Sequence, residues 1–228
     1  QHNGLYQSVC IGIKAGYSNN GIPGVVNYMT AIGGHSLTNC SGANNTAMGW
    51  YSAHNITSGA NNVIIGSRAG TALTTSGDNT VVGKDAAMNA VDVGDIVAIG
   101  AYSLATMTSI NGVTGNTQNV AVGPGTLTNA EATGAGENYS NVCIGYNTGD
   151  SITTGSRNII VGADADVGVA NNDCIVVGDN ASATVSGAIA LGTGAAATNA
   201  NRAIALFSAG TPAPGASLVA AAPGAADT

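Results

Sequence analysis

A four-residue apolar run closed by glycine recurs along almost the whole chain, and it restricts the fold more than any other feature. It reads VCIG at 9–12, TAIG at 30–33, TAMG at 46–49, VIIG at 63–66 and TVVG at 80–83. It continues as VAIG at 97–100, VAVG at 120–123, VCIG at 142–145, IIVG at 159–162, IVVG at 175–178 and IALG at 189–192. The closing residues are Gly12, Gly33, Gly49, Gly66, Gly83, Gly100, Gly123, Gly145, Gly162, Gly178 and Gly192; a twelfth copy at 204–207 ends instead on Phe207, which reads as a terminal cap. Successive closures are 21, 16, 17, 17, 17, 23, 22, 17, 16, 14 and 15 residues apart, so the intervening segments accept insertions while the run is kept. A 14- to 17-residue unit with one short strand cannot bury an apolar face by itself and must stack on its neighbours. The expected fold is all-β, a single-stranded parallel β-solenoid of about 12 coils spanning residues 1–207. Residues 208–228 are rich in Ala, Pro and Gly and read as an extended tail without its own core.

Side chains alternate across a strand. The first and third residues of each run, such as Val9 and Ile11 or Val63 and Ile65, are expected to line the interior, with the middle residue facing the other way. That middle residue is also apolar at every copy, from Cys10 and Ala31 to Ala190 and Ala205. A strand apolar on both faces needs cover on both, so an apolar stripe along the rod is expected to be buried by self-association. Asn45, Asn62, Asn79, Asn119, Asn141 and Asn158 precede the run and are expected to form a stacked ladder. The closing glycines should adopt positive φ or allow close approach between coils.

Composition removes several function classes. Charged residues make up 7% of the 228, the net charge is −7, and the five fixed cations Lys14, Arg68, Lys84, Arg157 and Arg202 form no basic stripe for nucleic acid. No stretch approaches the roughly 20 apolar residues of a membrane helix. Cys10, Cys40, Cys143 and Cys174 lack zinc-ligand spacing and read as small buried hydrophobes. No catalytic residue, metal ligand or cofactor is expected.

NNVIIGSRAG at 61–70, NVAVG at 119–123 and NVCIGYNTG at 141–149 resemble the repeats of trimeric autotransporter adhesin heads and of phage fibres, a likeness covering about residues 8–207. The resemblance implies a left-handed parallel β-roll, assembled as a homotrimer and displayed on a virion or outside a cell for attachment. The longer, irregular repeat and Thr-Thr-Gly connectors such as 153–155 are more similar to phage-fibre repeats. The expected role is therefore a structural, adhesive one, as a virion fibre or decoration protein contacting a host surface. A bacterial adhesin head or extracellular filament subunit is the alternative. Expected partners are further copies, other virion or surface proteins, and a host glycan or receptor.

Three local readings complete the sequence picture. Trp50, Tyr51 and His54 form the one aromatic cluster in a chain with a single Trp and a single Phe, and are the candidate ligand contact. Asp85, Asp164, Asp166 and Asp179 follow closing glycines and read as solvated loop carboxylates rather than a calcium site. His35 and His54 would be the bases in an acyltransferase reading, which the single apolar-Gly signal per coil disfavours.

Overall fold

The computed structural model describes residues 7–17, 28–109, 115–132, 139–198 and 203–206; Phe207 and the tail at 208–228 lie outside them. The described residues are all-β, without a helix. Twelve three-residue strands form one parallel sheet in strict sequence order, each pairing in register with the next. They define rungs 1 to 12: Val9–Ile11, Thr30–Ile32, Thr46–Met48, Val63–Ile65, Thr80–Val82, Val97–Ile99, Val120–Val122, Val142–Ile144, Ile159–Val161, Ile175–Val177, Ile189–Leu191 and Ile204–Leu206. Sequence-ordered parallel neighbours require the chain to wind once between strands, so the molecule is a β-solenoid. At about 4.8 Å per strand the sheet is about 53 Å long.

The inward and outward faces are the reverse of the sequence expectation. The middle residue of each run points into the coil: Ala31, Ala47, Ile64, Val81, Ala98, Ala121, Cys143, Ile160, Val176 and Ala190 have no exposed surface. The first and third residues point out, with Ile11 at 58%, Val9 at 49% and Ile159 at 44% exposed. The physical reason is room. The coil cross-section favours a small inward residue, and the middle position is Ala six times, Cys twice, Val twice and Ile only twice. The outward positions carry the bulkier Val, Ile and Leu, and at 30, 46 and 80 a Thr whose hydroxyl the interior would leave unpaired.

The Asn ladder forms as expected, on that same inward face. Asn62 Nδ2 donates to Asn45 Oδ1 at 2.9 Å and Asn79 Nδ2 to Asn62 Oδ1 at 2.9 Å, while the backbone N–H of each Asn donates to the same oxygen of the preceding rung. Ile96 N–H ends this series on Asn79 Oδ1, and a second runs from Asn119 through Asn141 and Asn158 to Cys174 N–H. All six asparagines are buried. A stack in which each amide serves the next is a satisfied buried network, which rigidifies rather than destabilises.

After each closing glycine the chain takes a wide turn in rungs 1–8. The glycine itself needs both properties expected of it. At Gly83 φ is +141, and a Cβ would lie 2.5 Å from Gly100 O of the next rung. The residue two places on is left-handed throughout: Lys14, His35, Tyr51, Arg68, Asp85 and Tyr102 have φ between 56 and 61. Four places on, a second left-handed residue enters the core, and outside rung 3, where Ala47 meets Ala53 and Ile56 fills the coil, its size is inverse to that of the inward strand residue. Rungs 2, 6 and 7 pair Ala31 with Leu37, Ala98 with Leu104 and Ala121 with Leu127, all buried. Rung 4 pairs Ile64 with Gly70, where a Cβ would meet Leu73 Cδ1 at 2.9 Å and Ile64 Cδ1 at 3.1 Å. Close packing leaves no slack for both side chains.

Rungs 9–11 close differently. The wide turn gives way to a two-residue strand, and Asp166–Val167, Ser182–Ala183 and Ala196–Ala197 stack as a second parallel sheet. Inward residues shrink along it, from Ile160 to Val176 to Ala190 and from Val167 to Ala183 to Ala197.

Candidate functional site

Two surfaces stand out, and the first is the outward face of the long sheet. Its 24 positions are 21 aliphatic residues and Thr30, Thr46 and Thr80, with no charge among them. Outward side chains on one strand are about 7 Å apart, so with their bulk the stripe is about 11 Å wide and about 600 Å² in area. That equals the largest apolar patch of a typical monomer, about 300–600 Å². It also supplies most of the about 800 Å² that a standard interface takes from each partner.

The second surface lies on the wide turns of rungs 1–3. Residues one, two and five places after the closing glycine form three adjacent columns, because each turn repeats the same backbone geometry. The first column is Ile13, Gly34, Trp50; the second Lys14, His35, Tyr51; the third Tyr17, Thr38, His54. Gly34 leaves space between Ile13 and Trp50, and a Cβ there would lie 3.4 Å from Trp50 Cδ1. The His35 and Tyr51 rings stack at 4.7 Å with 23° between planes, and Tyr51 also meets Trp50 at 4.3 Å and His54 at 4.5 Å. His54 Nδ1 is 3.1 Å from both His35 O and Thr38 Oγ1, which fixes its ring. Trp50, Tyr17, Lys14 and Ile13 are exposed, and Tyr51, His35 and His54 half-buried.

Trp50, Tyr51 and His54 are thus brought together as the sequence grouped them. His35 and Lys14, which had no place in that group, join it. Their signal was phase: both stand two residues after a closing glycine, as Tyr51 does.

Beyond rung 3 the same columns turn ionic. Arg68 grips Asp85 with Nε on Oδ1 at 2.6 Å and Nη2 on Oδ2 at 2.8 Å, and Lys84 lies 3.1 Å from Asp85 Oδ2. Asp85 has no exposed surface, so its reading as a solvated carboxylate is corrected. The Arg68 hydrogen bonds, helped by Lys84 and opposed by burial, hold its carboxyl below the usual range. Asp166 is the opposite case: desolvation pushes its carboxyl up despite hydrogen bonds from Ser151 and Val167 N–H. Burial likewise pushes the Cys143 thiol up, away from a reactive thiolate. Among the described residues no group of three or more His, Cys, Asp or Glu is placed to hold a metal. The described residues contain no helix long and apolar enough to cross a membrane.

No protein-family model matches the chain, and no curated protein matches it. The class is the one its fold defines, a parallel β-solenoid.

Proposed function

We propose that the chain is a structural and adhesive module, a rod that associates with copies of itself along the outward sheet face and presents its turn columns to a surface. The observation that carries the reading is the uncharged double column of aliphatic residues running over twelve rungs. Burying about 600 Å² of it on each of two partners, about 1,200 Å² in all, returns roughly 30 kcal/mol at about 25 cal/mol per Å², above the about 4–15 kcal/mol that association costs. Three copies around a common axis are the proposed state, in line with the adhesin-head and phage-fibre repeats that the sequence resembles. That resemblance, with the Thr-Thr-Gly connectors, also favours a virion fibre or decoration protein over a bacterial surface adhesin or filament subunit. The proposed role is non-catalytic: His35 stacks on Tyr51, His54 packs tilted against the same ring, and His54 spends a ring nitrogen on Thr38 and a backbone carbonyl.

Light scattering during size exclusion tests the assembly. At micromolar concentration the expected mass is three times the 22.0 kDa of the chain. Ile144→Lys places a charge at an outward position of rung 8 and should shift the mass to that of one chain with the β spectrum retained. A wild-type monomer would overturn the reading.

A further inference from the structure

We infer that the turn columns of rungs 1–3 form a binding site for an acidic oligosaccharide, a ligand class that gives chemical content to the adhesive role proposed above and rests on it. The argument starts from where the aromatic residues are. Trp50 is the only tryptophan, and it is 55% exposed, beside Tyr51, while Tyr17, two columns and two rungs away, is 51% exposed. An exposed indole face offers a sugar ring a flat apolar partner for its C–H face. Half-buried phenol and imidazole edges next to it offer donors and acceptors for hydroxyls. The site is built rather than loose. Tyr51 is held between His35 below and Trp50 and His54 beside it, and His54 is tied to Thr38.

Charge selects the acidic class. Lys14 stands on the same column as His35 and Tyr51, exposed, and makes no ion pair with a described residue. Arg68, Lys84 and Arg157 are each committed to a carboxylate. The nine positions of the patch contain no Asp or Glu, in a chain that carries twelve, and the nearest acid on the central column, Asp85, is neutralised by Arg68 and Lys84. The patch is therefore a cationic spot on an anionic molecule. From Trp50 to Lys14 is two rungs, about 10 Å, the span of two linked pyranose rings. A sugar stacked on Trp50 and followed by one whose carboxylate reaches Lys14 fits that distance.

The single tryptophan makes the test direct. Titrating the full chain with oligogalacturonate should give a saturable change in Trp50 fluorescence, and the neutral probe maltohexaose a response at least about tenfold weaker. Lys14→Gln and Tyr51→Ala, which both keep the indole, should each weaken the acidic response about tenfold. Arg157→Gln, which removes a cation beside rung 9, six rungs away, should leave it unchanged. No saturable change at millimolar oligogalacturonate, an equal response to maltohexaose, or an undiminished response in Lys14→Gln would each overturn the assignment. Light scattering on the same samples separates the two proposals: assembled rods that bind no sugar defeat only this site, and monomers that bind it defeat only the assembly.

Discussion

The eight rungs with wide turns and the narrow rungs that follow solve one packing problem in two ways. In rungs 2–8 each coil closes over three inward residues, as in Ala98, Leu104 and Met107 of rung 6, and except in rung 3 the left-handed residue four after the glycine compensates for the strand residue. In rungs 9–11 that residue is gone, a second strand lies directly opposite the first, and alanine takes over the interior. The Asn ladder ends one rung beyond that division. Asparagine precedes the strand in five of the eight wide rungs and in rung 9, whereas Cys174, Ala188 and Ala203 hold that place in rungs 10–12. A coil wide enough to need a filler also has room for a stacked amide, and past rung 9 the narrow coil is held by two strands without it. Apart from two short pairs, Val93–Gly94 with Gly115–Asn116 and Thr108–Ser109 with Glu131–Ala132, the wide rungs rest on a single strand, and they should depend on individual side chains more than the narrow ones do.

The largest expected effect follows from the ladder. Asn62→Leu removes the acceptor of both Asn79 N–H and Asn79 Nδ2. Two buried donors left unpaired cost about 1–3 kcal/mol each, so a loss of about 4 kcal/mol is expected. Ala188→Leu, in the same phase of a narrow rung, breaks no hydrogen bond and overfills the core by about 1–3 kcal/mol. Because solenoids open rung by rung, amide exchange is the measurement. Asn62→Leu should accelerate exchange around rungs 3–5 and leave rungs 9–11 protected. Uniform acceleration would show that the two regions unfold as one unit, and the contrast between them would fail.

Size compensation gives the next effect. Ile64→Ala empties rung 4 and should cost about 3 kcal/mol, within the usual 2–5. Adding Gly70→Leu recreates the Ala98–Leu104 pair of rung 6, where Leu104 sits at φ 50, and should recover at least half of that loss. Gly70→Leu alone meets Ile64 and Leu73 and should be worse than either. Urea midpoints decide it, and additive costs in the double variant would mean that the inverse sizes are coincidence.

Acid separates one carboxylate of each region. The Asp85 carboxyl is held low, so its ionised form contributes stability that is present above the usual carboxylate pKa and lost as pH falls through its folded value. Asp85→Asn should therefore lower the melting temperature at pH 7, with the difference from wild type closing only in strong acid. The Asp166 carboxyl is held high by burial, so ionisation is the unfavourable state in the folded chain. Asp166→Asn, which keeps an oxygen for Val167 N–H, should raise the melting temperature at pH 7 and lose that advantage below about pH 4. Differences of the same sign would contradict the opposed environments.

How much of this was legible depended on which signal was followed. Recurrence of the apolar-Gly run placed all twelve strands and their order, because a solenoid repeats its backbone as well as its residues. Facing went wrong because hydrophobicity was taken to mean interior, whereas here the outward face is the more hydrophobic. The correcting signal was parity. A stacked buried asparagine such as Asn62 is two residues from Ile64 and shares its face, so a ladder inside the coil forces the middle residue inward. The narrow rungs were visible only as a shorter spacing of 14–16 residues, since Asp166–Val167 and its partners have no distinctive pattern of their own. The aromatic patch was half legible: Trp50, Tyr51 and His54 are close in sequence, while Lys14 and His35 reach them only through the winding of the chain.

The smallest expected effect tests whether the ladder belongs to the wide coil as such. Ile96 interrupts it, with its N–H on Asn79 Oδ1 and its side chain buried in a wide rung. Ile96→Asn would place Nδ2 on Asn79 Oδ1 and present its own Oδ1 to the next rung, as Asn62 does for Asn79. The exchange loses the burial of an isoleucine, about 1.5–3 kcal/mol, and gains two hydrogen bonds at about 1 kcal/mol each. The expected change is within about 1 kcal/mol of zero, whereas Ile96→Ala, which makes a cavity and no bond, should lose about 3 kcal/mol. An asparagine that destabilises as much as alanine would mean that rung 6 has already paired every group the amide could meet. The break at Ile96 would then be a feature of that coil, and the ladder would belong to particular rungs instead of to the width of the coil.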